Sequence, residues 1–376
     1  MVGLMAMFFP VLLMLSTLAL QRVETQLGPQ RLRTSSLHPD RCSASPDPTP
    51  SELLGVGSGE GTDVTELSYL QAVVIGLLQG VTELFPISSL GHSVLVPAWI
   101  GGSWAHLVTE GDTGDSEASH YLAFVVALHV ATAIALLVFY ARDWVLIIGG
   151  FFTVLRTRRV QTSTQRLAIL IVVATIPVGI TGLVLEHTLR TLFAKPLASA
   201  IFLTANGAIL FAGEYLRRRA VIPTAAPAAN APTGTVSART PATAGSVGRR
   251  PLDTLSYREA GVIGLFQTLA LLAGISRSGV TMVGGLLRGL DHEDAAKFSF
   301  LLATPVILAA GVLKLPTLFG PAGDGIHGQV VIGAVVAGLA AYASVRFLTR
   351  YFTTRTLSPF AVYCLIAGIA SLIRFT

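Results

Sequence analysis

Six stretches of the chain are apolar almost without interruption, near residues 119–140, 166–186, 197–216, 297–315, 329–348 and 358–374. A helix needs ~20 apolar residues to cross a bilayer core, so each stretch is expected to be a membrane span. Two further apolar stretches, 67–86 and 255–273, stop at breaks: Pro86-Ile87-Ser88-Ser89 in the first and Gly274-Ile275-Ser276-Arg277 in the second. The pieces beyond them, about 90–100 and 279–290, are too short to span alone. Each pair is expected to form a re-entrant hairpin, whose broken backbone must be covered by protein or line a wet cavity.

The two interrupted stretches are copies of one unit. Residues 67–91 recur without a gap 188 positions later, at 255–279, with 13 of 25 positions identical, and the breaks fall at matched places. In membrane proteins built from such repeats, the working site lies where interrupted helices of the two copies meet. The expected fold class is an all-α polytopic membrane protein, an inverted-topology repeat with two re-entrant helical hairpins meeting near the bilayer midplane. A first bundle at 66–219 and a second at 255–376 follow, divided by a linker at 220–254. That linker is rich in Ala, Pro and Thr and is expected to be disordered and cytoplasmic. Residues 1–65, an apolar start followed by a Pro-, Ser- and Gly-rich segment, form an extension to which no catalytic role is given and which is expected to be dispensable.

Composition supports this reading. Of 376 residues 52% are hydrophobic and only 12% charged, too few charges to solvate a soluble globule of this size. The net charge of +5 matters through its placement. Arg142, Arg156, Arg158, Arg159 and Arg166 cluster in one loop, and Arg217, Arg218, Arg219, Arg239, Arg249, Arg250 and Arg258 in or beside another, so both loops are expected to be cytoplasmic. The 101–118 loop carries Glu110, Asp112, Asp115 and Glu117 without Lys or Arg, and the 316–328 loop carries Asp324, so these are expected outside. Three crossings then separate the copies, which inverts the second. Residues from Val145 to the Arg156 cluster fit an interfacial helix better than a span. No aromatic and basic stripe accompanies the arginines, which argues against nucleic acid as a partner. Cys42 and Cys364 cannot make a disulfide framework or a zinc site.

An ionisable group at membrane depth costs ~2.5–3.5 kcal/mol on insertion scales, so Glu83, His92 and Arg277, in or beside the breaks, are the candidate chemistry. Gln79 and Glu83 share one helix face, and Pro86 ends that helix. Ser88, Ser89 and His92 follow on a turn kept tight by Gly91. The second break supplies Ser276, Arg277, Ser278 and Thr281, with Gly279 permitting close backbone approach. Hydroxyls, a guanidinium and free N–H groups at a helix start are what a phosphate requires. The copies differ where chemistry would: Ser89 matches Arg277, Glu83 matches Leu271, and His92 matches Val280. Plainer readings hold elsewhere. Serines in interrupted helices satisfy freed carbonyls, Gln79 and Gln267 suggest a shared structural hydrogen bond, and His129 reads as a packed or interhelical histidine rather than a ligand.

With these motifs the chain resembles the undecaprenyl-diphosphatase family of the bacitracin-resistance type. Such proteins carry Glu/Gln-x-x-x-Glu leading into Pro-x-Ser-Ser-x-Gly-His, here Gln79 to Glu83 and Pro86 to His92, and a second motif that stands here as Ala273-Gly274-Ile275-Ser276-Arg277-Ser278-Gly279. The resemblance covers about 66–376. Ala273 departs from the usual Pro, and Cys364 stands where Arg is common after Tyr. The resemblance implies removal of the terminal phosphate of undecaprenyl diphosphate at the outer face of the bacterial plasma membrane, which recycles the lipid carrier for cell-wall synthesis and gives bacitracin resistance. It implies Glu83, Ser89, His92 and Arg277 as catalytic residues and divalent cations, Mg²⁺ or Ca²⁺, in support of activity, with Glu83 and Gln79 the expected ligands. Ser88, Ser276, Ser278, Thr281 and Gly279 are the expected substrate-binding residues. Two nucleophiles stay open, Ser89 activated by His92 and a water activated by His92. The competing class is a transporter or flippase of prenyl phosphates, because inverted repeats with a midplane anion site serve transport equally well. Undecaprenyl diphosphate and membrane lipids are the expected partners, and a homodimer is compatible with a sequence that does not fix the oligomeric state.

Overall fold

The computed structural model describes residues 67–109, 120–193, 195–220, 250–320 and 325–376. The extension at 1–65, most of the 220–254 linker, and the acidic positions Glu110, Asp112, Asp115, Glu117 and Asp324 lie outside the described residues.

The first interrupted stretch forms α1 (Tyr69–Thr82) and α2 (Ser89–Ile100), followed by the short α3 (Ser103–Thr109). Then come α4 (His120–Phe139), α5 (Ala141–Thr157), α6 (Ser163–Phe193) and α7 (Pro196–Ala220). The second interrupted stretch forms α8 (Tyr257–Thr268) and α9 (Arg277–Leu286), and α10 (His292–Lys314), α11 (His327–Tyr351) and α12 (Ser358–Phe375) complete the bundle. Among the described residues six helices are long and apolar enough to cross a membrane: α4, the 163–185 part of α6, α7, α10, α11 and α12. They match the six expected spans.

Local signals explain the two interruptions. Ser68 and Gln71 form a capping box at the start of α1, and Ser256 and Glu259 form the equivalent box at the start of α8. Pro86 cannot extend α1, and the second copy breaks through a 3₁₀ turn at Leu269–Leu271 and Gly274, whose φ of 118° suits glycine. Ser88 and Ser276, at matched positions, each accept a hydrogen bond from the backbone N–H three residues on, Gly91 and Gly279, both at 3.2 Å. Ser88 does so at φ 73°, a conformation that costs a non-glycine residue of order 1–3 kcal/mol and that the surroundings must hold.

Packing between the copies is reciprocal. Helix α1 lies on α11 of the second half, and α8 lies on α6 of the first. The matched glycines make these contacts: a Cβ on Gly76 would stand 2.5 Å from the Gly333 carbonyl oxygen, and one on Gly264 would stand 2.3 Å from that of Ala174. Small residues at such crossings let backbones approach where the surrounding lipid offers no hydrophobic drive. At the breaks the exchange repeats, since Gly91 abuts Gly274 and Gly279 abuts Pro86. Phe85, just before Pro86, stacks on Phe347 and meets Phe360 edge-on, which anchors the first break beneath α11 and α12. Helix α5 stands apart. Ile147 is buried, while Val145, Leu146, Ile148, Phe152 and Leu155 are exposed, and Lys297 holds its first turn through Asp143 at 2.8 Å.

Candidate active site

The two breaks meet around a cavity of about 320 Å³ whose polar lining is Glu83, Ser88, Ser89, His129, Gln267, Ser276 and Arg277. Its walls are apolar, from Leu90, Val126, Val178, Leu271, Val306 and Ile307 among others, so a charged ligand there would meet few competing dipoles.

Glu83 is the hub. It caps the end of α1, where the chain turns before Pro86, and its carboxylate faces three directions. Arg277 Nη2 donates to Oε1, joining the two copies by an ion pair. Oε2 accepts from Ser89 Oγ at 2.5 Å and from Gln79 Nε2 at 3.0 Å. Arg277 also reaches the Ala303 carbonyl from Nη1 at 3.5 Å. An ion pair this deep is stable only when its remaining donors and acceptors are satisfied, and these neighbours do so.

His129 belongs to this cluster. Its Nε2 lies 3.3 Å from Glu83 Oε2, and its Nδ1 lies 2.8 Å from the Val125 carbonyl, which can only accept, so Nδ1 carries a proton and Nε2 is the nitrogen turned to the carboxylate. The sequence reading of a packed or interhelical histidine missed this approach. Its one available signal was a lone ionisable group on an otherwise apolar span.

His92 lies elsewhere. Its Nδ1 donates to the Ser88 carbonyl at 2.6 Å, its Nε2 accepts from the Tyr363 hydroxyl at 2.7 Å, and its ring stacks on that tyrosine. Both nitrogens are engaged and His92 does not line the cavity. The expected hydrogen bond from Ser89 to His92 is therefore not formed; the Ser89 hydroxyl points to Glu83. The physical reason is that every group is already engaged: Glu83 takes the Ser89 hydroxyl, while the Ser88 carbonyl and the Tyr363 hydroxyl occupy the two ring nitrogens of His92.

Of the expected binding residues, Ser88 and Ser276 line the cavity, while Ser278, Gly279 and Thr281 are buried behind it. Ser278 Oγ bonds the Phe85 carbonyl at 3.3 Å, and Thr281 Oγ1 has no protein partner among the described residues. As for a cation, no group of three or more His, Cys, Asp or Glu is disposed to hold one among the described residues. Gln79 Oε1 is, however, a buried acceptor without a partner, on the amide whose Nε2 faces the Glu83 carboxylate; that oxygen and the carboxylate are the oxygen donors nearest to hand, although Gln79 does not line the cavity.

Membrane-length helices closed around a buried carboxylate, hydroxyl and guanidinium define a multi-pass membrane protein with a polar site at the junction of two interrupted helices. The chain belongs to the bacitracin resistance protein BacA family, whose model matches residues 72–370. Similar proteins include undecaprenyl-diphosphatase 2 of Frankia alni, 67% identical over 338 residues that take in 82% of this chain and 98% of the relative. Undecaprenyl-diphosphatase of Mycolicibacterium paratuberculosis is 57% identical over 307 residues, covering 82% of this chain and 97% of the relative. That of Granulibacter bethesdensis is 42% identical over 313 residues, with the same shares covered.

Proposed function

We propose that this protein hydrolyses undecaprenyl diphosphate to undecaprenyl phosphate and phosphate, recycling the carrier lipid of cell-wall synthesis and conferring bacitracin resistance. The observation that carries the reading is the convergence, in one apolar-walled cavity, of a hydroxyl already donating to a carboxylate and a guanidinium from the other copy. The diphosphate draws Arg277 from Glu83 onto its oxygens, where a bidentate fork holds it better than a point charge would. Glu83, released from its counter-ion, takes the Ser89 proton. Ser89 Oγ bonds to the terminal phosphorus as the bond to the bridging oxygen breaks, and undecaprenyl phosphate leaves with that electron pair. Water then cleaves the phosphoserine, restoring the hydroxyl and releasing phosphate. Phosphoryl transfer asks the protein mainly for position and charge stabilisation, which this set supplies. His92 acts by holding the Ser88 turn.

Glu83 and Gln79 would hold a Mg²⁺ or Ca²⁺ ion through oxygen donors, the donor type these hard cations take. Bound there, the ion would neutralise charge developing on the transferred group. In the same reading the interrupted helices are re-entrant hairpins of an inverted repeat meeting near the midplane of the bacterial plasma membrane, with the cavity open to the outer face. The reciprocal glycine contacts and the three spans between the copies support it.

The test is phosphate release from farnesyl diphosphate by purified, detergent-solubilised protein with Mg²⁺. Wild type should release phosphate, and Arg277→Ala should lose on the order of 10²–10³-fold in kcat. A folded wild type that releases none from any prenyl diphosphate would overturn the phosphatase and favour transport, which a liposome flipping assay would then detect.

A further inference from the structure

A residue outside both breaks serves the two at once. Asn206, fully buried midway along α7, donates from Nδ2 to the Pro86 carbonyl at 3.1 Å and accepts at Oδ1 the Ser276 backbone N–H at 3.0 Å. Pro86 lies in the first break, three residues before Ser89, and Ser276 caps the helix that begins with Arg277. The orientation of the amide is fixed by chemistry: Ser276 N–H can only donate, so the atom facing it must be the oxygen. Nδ2 also lies 3.3 Å from Cys364 Sγ on α12.

The other polar links between the breaks are of two kinds. Ser88, Ser276 and Ser278 bridge to Gly274 N and the Phe85 carbonyl at 3.2–3.5 Å through hydroxyls free to rotate about their own bonds. The Arg277 to Glu83 ion pair is the strong link, and it is the one an incoming anion must open. At that moment the planar amide of Asn206 is what still ties Pro86 to Ser276 without competing for the ligand, because it does not line the cavity.

We propose that Asn206 is a positioning residue of this site. It fixes the nucleophile-bearing break in register with the guanidinium-bearing one while the ion pair between them is open. The proposal rests on the phosphatase reading above. Misregister between a nucleophile and its anion clamp penalises the transition state more than ground-state binding, so it should appear in kcat before KM.

The experiment measures kcat and KM for farnesyl diphosphate, with thermal stability in detergent, for wild type, Asn206→Ala, Asn206→Asp and Cys364→Ala. Asn206→Asp keeps the volume and the acceptor for Ser276 and loses the donor to Pro86. Both Asn206 variants should lose on the order of 10–100-fold in kcat per folded molecule, with KM within about threefold of wild type. Cys364→Ala, which removes a neighbour of the same amide without joining the breaks, should keep wild-type kcat. Wild-type kcat in a folded Asn206 variant, or failure of both Asn206 variants to fold, would overturn the proposal, the latter because the residue would then govern folding rather than register. Absence of phosphate release by wild type would overturn the phosphatase reading itself.

Discussion

Glu83→Gln keeps the shape of the hub while removing its charge and its capacity to take the Ser89 proton. Activity should fall by on the order of 10²–10⁴-fold, the range of a lost general base. Arg277 would also be left without its counter-ion, so the variant should melt earlier than wild type. Adding Arg277→Gln should recover part of that stability and none of the activity; a double variant no more stable than Glu83→Gln would show that the pair does not hold the breaks together. His92 invites a different comparison. Asn places a donor about where the Nδ1–H of His lies, so His92→Asn can still bond the Ser88 carbonyl while offering no base. Kinetic assay should find His92→Asn well above His92→Ala, whereas equal loss in both would restore His92 to acid-base chemistry. The sequence made Glu83, Ser89 and Arg277 legible because charge at membrane depth and divergence at matched positions are one-dimensional signals. It could not reveal where His92 points, since its ring is held by Tyr363 at the far end of the chain, nor that His129, on another helix, reaches the same carboxylate.

Helix limits were legible to within a few residues, because apolar length, the Ser caps and the Pro and Gly breaks are all local. Partners of those helices were not, and the glycines that choose them carry no pattern of their own. Gly76→Ala would bring a methyl to 2.5 Å from a backbone oxygen, and Gly264→Ala would do so at 2.3 Å, with no flexible side chain to yield. Each should cost about 1–3 kcal/mol or more, read as a lower melting temperature in detergent, while Gly149→Ala, facing open space, should not. The base of the second interrupted helix carries a separate clamp. Arg250 donates to both Glu259 oxygens, at 2.7 and 2.8 Å, and to the Arg288 carbonyl at 2.8 Å, so one guanidinium ties the start of α8 to the end of α9. Its hydrogen bonds hold the Glu259 carboxyl down to about 2 from an ordinary 4.5. A depressed carboxyl contributes stability that is present above its unfolded value and is lost as pH falls through the folded one. Wild type should therefore lose stability between about 4.5 and about 2 through this group. Glu259→Gln should melt earlier at neutral pH and show a shallower acid dependence; identical acid profiles would rule the clamp out as a source of stability.

Across the whole molecule, the reciprocal packing gives each half a helix that its own span does not cover: α1 rests on α11 and α8 on α6. The polar groups of the cavity divide the same way, with Glu83, Ser89 and His129 before the 220–254 linker and Arg277 after it. Neither half alone can then assemble the cavity, and each packs the first helix of its interrupted stretch chiefly against the other. This division could be suspected from the repeat, yet which span receives which helix was beyond the sequence, because nearly every apolar stretch offers the same kind of surface. A chain cut within residues 221–249 and expressed as two polypeptides tests the arrangement. The halves should co-purify and release phosphate from farnesyl diphosphate at a rate close to that of the intact protein, since the α7 with α12, α1 with α11 and α8 with α6 contacts all cross the cut or survive it. Either half expressed alone should be inactive and poorly folded. Mixing a first half carrying Ser89→Ala with a wild-type second half should assemble but release no phosphate, which separates association from chemistry. Activity in a lone half would mean that the site does not need both copies, and the shared cavity would lose its role.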